Sequence, residues 1–118
     1  MMNCPICDEH KNLESPLWES ESWILRPAGK NLNGYLYLET RTHVESWGEL
    51  SLDQLKEYGA ALFFAFQNIK KLNPEKIYQV ALSEKVPHLH LHLVPRYADH
   101  SKGLDHLTIA LGEGFPGV

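Results

Sequence analysis

The chain has 118 residues, a net charge of −4, 43% hydrophobic residues and 22% charged residues. This is the size and composition of one globular domain, which excludes a disordered chain, and the pI of 5.9 excludes a strongly basic surface for nucleic-acid polymers. The longest apolar run, Ala60 to Phe66, is too short to span a bilayer, so no membrane partner is expected. The opening Met-Met-Asn-Cys-Pro-Ile-Cys has no charged region followed by an apolar one, so the expectation is a cytoplasmic protein without a signal peptide.

In chain order, residues 8–16 are polar and read as a surface loop. Trp18 to Ser20 predicts a short strand and Ser22 to Arg26 a longer one, ended by Pro27-Ala28-Gly29. After a turn at Asn31 to Gly34, the Tyr- and Leu-rich Gly34 to Glu39 predicts a strand buried on both faces. A connection carrying His43 and Trp47 follows. Ser51 with Gln54 forms a capping-box pattern, and Leu52, Leu55, Tyr58, Leu62, Phe66 and Ile69 recur at helical spacing, so a long helix runs from Ser51 to Asn73-Pro74. Lys76 to Ser83 and Val86 to Arg96 predict a closing hairpin. Strands around one helix define an α+β domain with a mainly antiparallel sheet, spanning 1–118 with a core at 4–97 and a tail at 98–118 whose last residues are loosely held.

The most informative segment is His88-Leu89-His90-Leu91-His92-Leu93-Val94. In a strand, alternate side chains share a face, so the imidazoles project together and the leucines anchor the strand on the core. Three readings fit the spacing: an exposed polar face, a metal site built from alternate histidines, or phosphate chemistry with one imidazole as nucleophile. Imidazole titrates near pH 6.5, so a neutral nucleophile and a charged partner can coexist near neutrality. The spacing does not choose between metal and phosphate. Cys4-Pro-Ile-Cys7 has three readings too: a redox dithiol, two buried thiols, or half of a structural zinc site. Only three residues stand before Cys4 in this sequence, so no strand is expected there, which counts against the redox reading.

The histidine stretch resembles the motif of the histidine triad (HIT) family, His-φ-His-φ-His-φ-φ with φ apolar, at every position. The likeness extends over residues 4 to 97, through Cys4-Pro-Ile-Cys7, Ser22-Trp-Ile-Leu, Gly34-Tyr-Leu-Tyr-Leu, Arg41-Thr-His43-Val-Glu-Ser, the long helix, and Pro95-Arg96-Tyr97. It implies a five-stranded antiparallel sheet with one long helix and a short one, a homodimer, and hydrolysis or transfer of nucleotidyl groups from nucleoside phosphoramidates or dinucleoside polyphosphates. It implies that His90 is the nucleophile, that His92 contacts the phosphate and helps the leaving group, and that His88 shapes the site. Where many members bind phosphate oxygens just before the triad, this chain has Ser83-Glu84-Lys85, which makes Ser83 and Lys85 the candidate substrate contacts. Where members that hold a ribose often carry Asp or Asn, it has Arg26-Pro27. A subset of the family binds zinc, and the matching ligands are Cys4, Cys7, His43 and His88. Catalysis needs no metal in this reading. His10, His100 and His106 match no motif and read as surface residues. The alternative function is a non-catalytic zinc- or nucleotide-binding protein of the same fold.

Overall fold

A computed structural model describes residues 3–115 and 118 of the chain. The elements run α1 (Pro5–Asn12), β1 (Trp18–Glu19), β2 (Trp23–Pro27), β3 (Leu36–Thr40), a 3-10 turn (Trp47–Glu49), α2 (Leu52–Lys70), β4 (Lys76–Val80), β5 (His90–Arg96) and α3 (Leu104–Leu111). The five strands form one sheet in the order β1-β2-β3-β5-β4, every pair antiparallel. No helix among the described residues is long and apolar enough to cross a membrane.

The two faces of the sheet carry different chemistry because side chains alternate along each strand. Trp23 and Leu25 of β2, Leu36 and Leu38 of β3, and Leu91 and Leu93 of β5 share one face with Leu89, and pack against Ala61, Ala65 and Ile69 of α2. The buried stripe of α2 therefore differs from the expected one. Leu52 and Leu55 stay exposed, while two alanines let the helix approach the sheet closely. The helix starts as its sequence requires: Ser51 Oγ accepts from Gln54 N, and Gln54 Oε1 accepts from Ser51 N. Its stop at Lys70 precedes Asn73, which adopts a positive φ before Pro74.

The opposite face carries the polar row. Tyr37 and Glu39 of β3 pair in register with His92 and His90 of β5, and Arg26 of β2 pairs with Tyr37. Two short helices flank this row, one more than expected. The first, α1, occupies part of the expected surface loop; Pro5 stands in its first turn and Cys4 caps it, its Sγ accepting from Cys7 N. The second, α3, lies in the tail, and its Leu107 packs with Tyr35 and Val94 in a smaller core. Of the last residues, Val118 is buried, and Pro116 and Gly117 lie outside the described residues.

Two strand boundaries shift. The strand expected to reach Ser83 ends at Val80, and the one expected from Val86 begins at His90. Residues 81–89 thus form an irregular crossing that is nonetheless tied down, with Leu89 N donating to Val44 O and Thr40 N donating to Leu89 O. His88 consequently stands ahead of the strand that carries His90 and His92.

Because Leu91 lies between the two strand histidines and is 2% exposed, truncating it removes the anchor of the row. Leu91→Ala is expected to cost about 3 kcal/mol of unfolding free energy, read from urea denaturation.

Candidate active site

His88, His90 and His92 are all buried, at 0%, 4% and 5% exposure, which excludes the reading of the row as an exposed polar face. Each imidazole has a different partner, and the partners define its protonation.

His90 Nδ1 donates to the main-chain oxygen of His88 at 2.6 Å. A carbonyl accepts only, so Nδ1 carries the proton and Nε2 keeps its lone pair. The backbone beneath the ring is held by Ser83, whose Oγ accepts from His90 N at 3.1 Å. Ser83 sits in the left-handed region at φ 54°, an uncommon conformation for a residue with a β-carbon. The structure therefore brings Ser83 to the nucleophile candidate through its backbone N–H. Lys85 is exposed and is not among the residues lining the cleft.

His92 Nδ1 lies 2.5 Å from the hydroxyl of Tyr35, which is itself buried. The other ring nitrogen, Nε2, is buried and has no hydrogen-bond partner among the described residues. The His90 and His92 ring centroids are 5.1 Å apart. Burial first, then the proximity of His90 and Lys30, lowers the His92 pKa to about 4. Burial also pushes the Tyr35 hydroxyl up, with Tyr37 adding to the effect, so Tyr35 stays protonated.

His88 faces elsewhere. Its Nε2 donates to Thr40 O at 2.7 Å, which leaves Nδ1 unprotonated, and Nδ1 lies 3.4 Å from both Cys4 Sγ and Cys7 Sγ. Cys7 Sγ is 3.5 Å from His43 Nδ1. The four candidate ligand atoms all fall within 4.8 Å of one another, so Cys4, Cys7, His43 and His88 form a cluster that could hold a metal ion. Burial holds His88 below the ordinary imidazole pKa, as a neutral ligand requires.

A cleft of about 320 Å³ opens over the histidines, with α1 as one wall (Pro5, Ile6, Glu9) and Arg26, Tyr37, Glu39, His90 and His92 on the sheet side. Its floor holds an ion pair. Glu39 is 1% exposed and accepts from Arg26 Nε at 2.7 Å, Arg26 Nη2 at 2.8 Å and His10 Nε2 at 2.9 Å. The Arg26 guanidinium also stacks over Tyr37, 4.8 Å from the ring centroid. His10 is thus half-buried and tied to Glu39 rather than a free surface residue. His106 is also buried, with Nε2 donating to Pro95 O and the ring stacked on half-buried His100.

Tyr35, Glu39 and His10 are the residues that motif reading passes over. Tyr35, just before β3, alternates with Tyr37 and Glu39 on it, so a glutamate following a Tyr- and Leu-rich run was the available signal.

With this geometry established, the chain can be set beside known proteins. No family model and no curated protein matches its sequence. Solved structures match its fold. A HIT family protein from Bacillus subtilis superposes with a TM-score of 0.71 at 20% identity, over 96% of this chain and 96% of its own. A HIT family protein from Bacillus anthracis str. 'Ames Ancestor' gives 0.71 at 19% identity, over 98% and 97%. A HIT family hydrolase from Clostridium thermocellum gives 0.64 at 16%, over 86% and 97%. The chain has the histidine triad fold, as the motif led us to expect.

Burial opposes ionisation of Glu39, but the bonds from His10 and Arg26 and the Arg26 charge outweigh it and hold the carboxyl below its ordinary range. The unfolded chain therefore binds more protons in acid. The stabilisation is complete above the ordinary carboxyl pKa of about 4.3 and is lost as pH falls through the folded value. Glu39→Gln is expected to cost about 3 kcal/mol at pH 7, because Arg26 is left half-buried without its counter-charge, and to flatten the acid limb of a stability–pH curve.

Proposed function

We propose that this protein is a nucleotide hydrolase or nucleotidyl transferase of the histidine triad type, working through a nucleotidyl-histidine intermediate. The observation that carries the reading is the His90 tautomer. A main-chain acceptor 2.6 Å from Nδ1 leaves a bare Nε2 in a ring that lines the cleft. Similar structures support it: one is named a HIT family hydrolase, and another, from Sulfolobus tokodaii, a hypothetical histidine triad nucleotide-binding protein.

In this reading the Nε2 lone pair of His90 attacks the α-phosphorus and the bond to the leaving group breaks. The His88 carbonyl stabilises the positive charge that develops on the ring, through Nδ1–H. Water or another acceptor then takes the nucleotidyl group and frees His90. His92 Nε2–H lies beside the nucleophile and donates to a phosphate or leaving-group oxygen, a contact that strengthens as charge develops there. Ser83 holds the strand end that presents His90. Lys85, exposed and outside the cleft lining, takes no part in this step.

We further infer that the cysteine–histidine cluster binds zinc. Tetrahedral zinc with ordinary Zn–S and Zn–N bonds sets sulfur and nitrogen about 3.5 Å apart. Three of the separations here are 3.4, 3.4 and 3.5 Å. Thr40 O already selects the His88 tautomer that coordinates through Nδ1. The ion would pin α1 to the 40–49 connection and to the start of the triad. A cytoplasmic setting keeps both thiols reduced for this role. A symmetric homodimer completes the proposal: Phe63 and Phe64, at 60% and 49% exposure, leave apolar surface on α2. Light scattering at micromolar concentration is expected to give twice the chain mass.

His90→Asn keeps a polar side chain and removes the nucleophile. It is expected to abolish turnover of adenosine phosphoramidates and diadenosine polyphosphates alike, while nucleotide affinity stays within roughly tenfold. Turnover near the unmodified rate would assign the nucleophile to another residue. Elemental analysis is expected to find about one zinc per chain. Cys4→Ser with Cys7→Ser should release it, lower Tm and raise KM, because α1 is a wall of the cleft.

A further inference from the structure

His92 stands in an environment that separates the two substrate types left open above. Tyr35, just before β3, and Tyr37 of β3 lie on one side of it, His90 precedes it on β5, and Val80 of β4 is its register partner on the other side. Lys30, in the loop after β2, adds positive charge. The acids of the cleft are Glu39 of β3 and the exposed Glu9 of α1. Neither bonds to His92. Glu39 spends its oxygens on Arg26 and His10, and Glu9 lies 4.0 Å from Arg26 Nη1.

The hydrogen bond between Tyr35 and His92 has a preferred direction. A phenol O–H is a stronger donor than an imidazole N–H, and an imidazole nitrogen is a stronger acceptor than a phenol oxygen. Tyr35 therefore donates to Nδ1, and the His92 proton resides on Nε2. That nitrogen is fully buried and unpartnered among the described residues, a cost an enclosed site bears when a ligand supplies the acceptor. Among the described residues no carboxylate bonds to the ring; the charge of Glu39 favours an imidazolium, but burial, with the charges of His90 and Lys30, outweighs it.

Resting on the nucleotide reading above, we infer that Tyr35 is a positioning residue that fixes His92 as a neutral Nε2–H donor. The cleft is therefore built for phosphoanhydrides, whose leaving group departs as an anion, over phosphoramidates, whose leaving amine must gain a proton. The balance of the step shows why. His90 Nε2 donates its electron pair to the α-phosphorus, and the P–O bond breaks. Its pair stays on the bridging oxygen, which leaves as part of a phosphate anion. His92 Nε2–H hydrogen-bonds that oxygen and keeps its proton. When a P–N bond breaks, the pair on nitrogen needs a proton in the same step. A neutral imidazole is a far weaker acid for this than an imidazolium. Gly34, just before Tyr35, has φ 84°, a left-handed conformation that favours glycine at this turn.

Two measurements on the full chain test this. The first is nitrogen-15 NMR of the ring nitrogens, with the His92 signals assigned from a His92→Gln variant. A bare Nδ1 and a protonated Nε2 are expected from about pH 5.5 to 8, and in Tyr35→Phe this single tautomer is expected to be lost. A purely structural role for Tyr35 would leave the tautomer unchanged and overturn the assignment, as would an imidazolium or an Nδ1–H form in the unmodified protein. The second compares kcat/KM for a diadenosine polyphosphate and an adenosine phosphoramidate with an alkylamine leaving group. The anhydride is expected to be favoured by at least about tenfold, the rate equivalent of 1.4 kcal/mol. Tyr35→Phe should lower kcat on the anhydride with little change in KM. Equal rates, or a phosphoramidate preference, would overturn the substrate inference while leaving the nucleotide reading intact. Turnover of neither substrate would overturn the nucleotide reading and the substrate inference with it, and the NMR spectrum would still decide the role of Tyr35.

Discussion

His88 works in two directions, and the site depends on it. Its main-chain oxygen accepts the His90 Nδ1 proton, while its ring is held between Thr40 O and the two cysteine sulfurs. The first contact sets which nitrogen of His90 is bare. The second fixes where His88 lies relative to α1 and to the 40–49 connection. A displacement of His88 by even an ångström would misdirect the His90 ring, and the proposed attack tolerates little misplacement. This is possible only because β5 begins at His90. A strand continued through His88 would have turned its ring to the cleft alongside the others.

The sheet separates stability from chemistry. One face is apolar and packed against α2. The other carries Arg26, Tyr37, Glu39, His90 and His92. Burying Glu39 and Arg26 together costs desolvation that their mutual attraction only partly offsets. The arrangement is better understood as specificity than as stability. The pair sets the position of Tyr37 through the stacked guanidinium and holds His10, and thereby α1, over the cleft. Both ends of α1 are thus fastened, the first by the cysteines and the last by His10.

Much of this was legible in the sequence because its signals were local. The triad alternation, the Ser51–Gln54 box and the turn residues act within a few positions, so the strands and α2 could be located from them. Four elements were not legible in that way. The helix α1 has no apolar period and takes its cap from a cysteine, so nothing marked it except Pro5. The helix α3 lies among tail glycines, and its burial depends on Val94 and Tyr35 far away in the chain. The buried stripe of α2 falls on Ala61 and Ala65 because close approach to the sheet matters more there than side-chain size. His10 and His106 looked like surface residues because their partners, Glu39 and the Pro95 carbonyl, are distant in sequence. In the site, the metal-ligand cluster came from matched motif positions, whereas the tautomers of His90 and His92 required the acceptors and donors that only the folded chain supplies.

The central claim is that the His90 Nε2 lone pair forms a bond to phosphorus. Rapid acid-free quenching of the protein with a diadenosine polyphosphate, followed by peptide mass spectrometry, tests it most directly. The account predicts an adenylyl adduct on the peptide containing His88 to Arg96, with fragmentation placing it on His90. An adduct on another residue, or steady turnover during which no adduct forms, would contradict it.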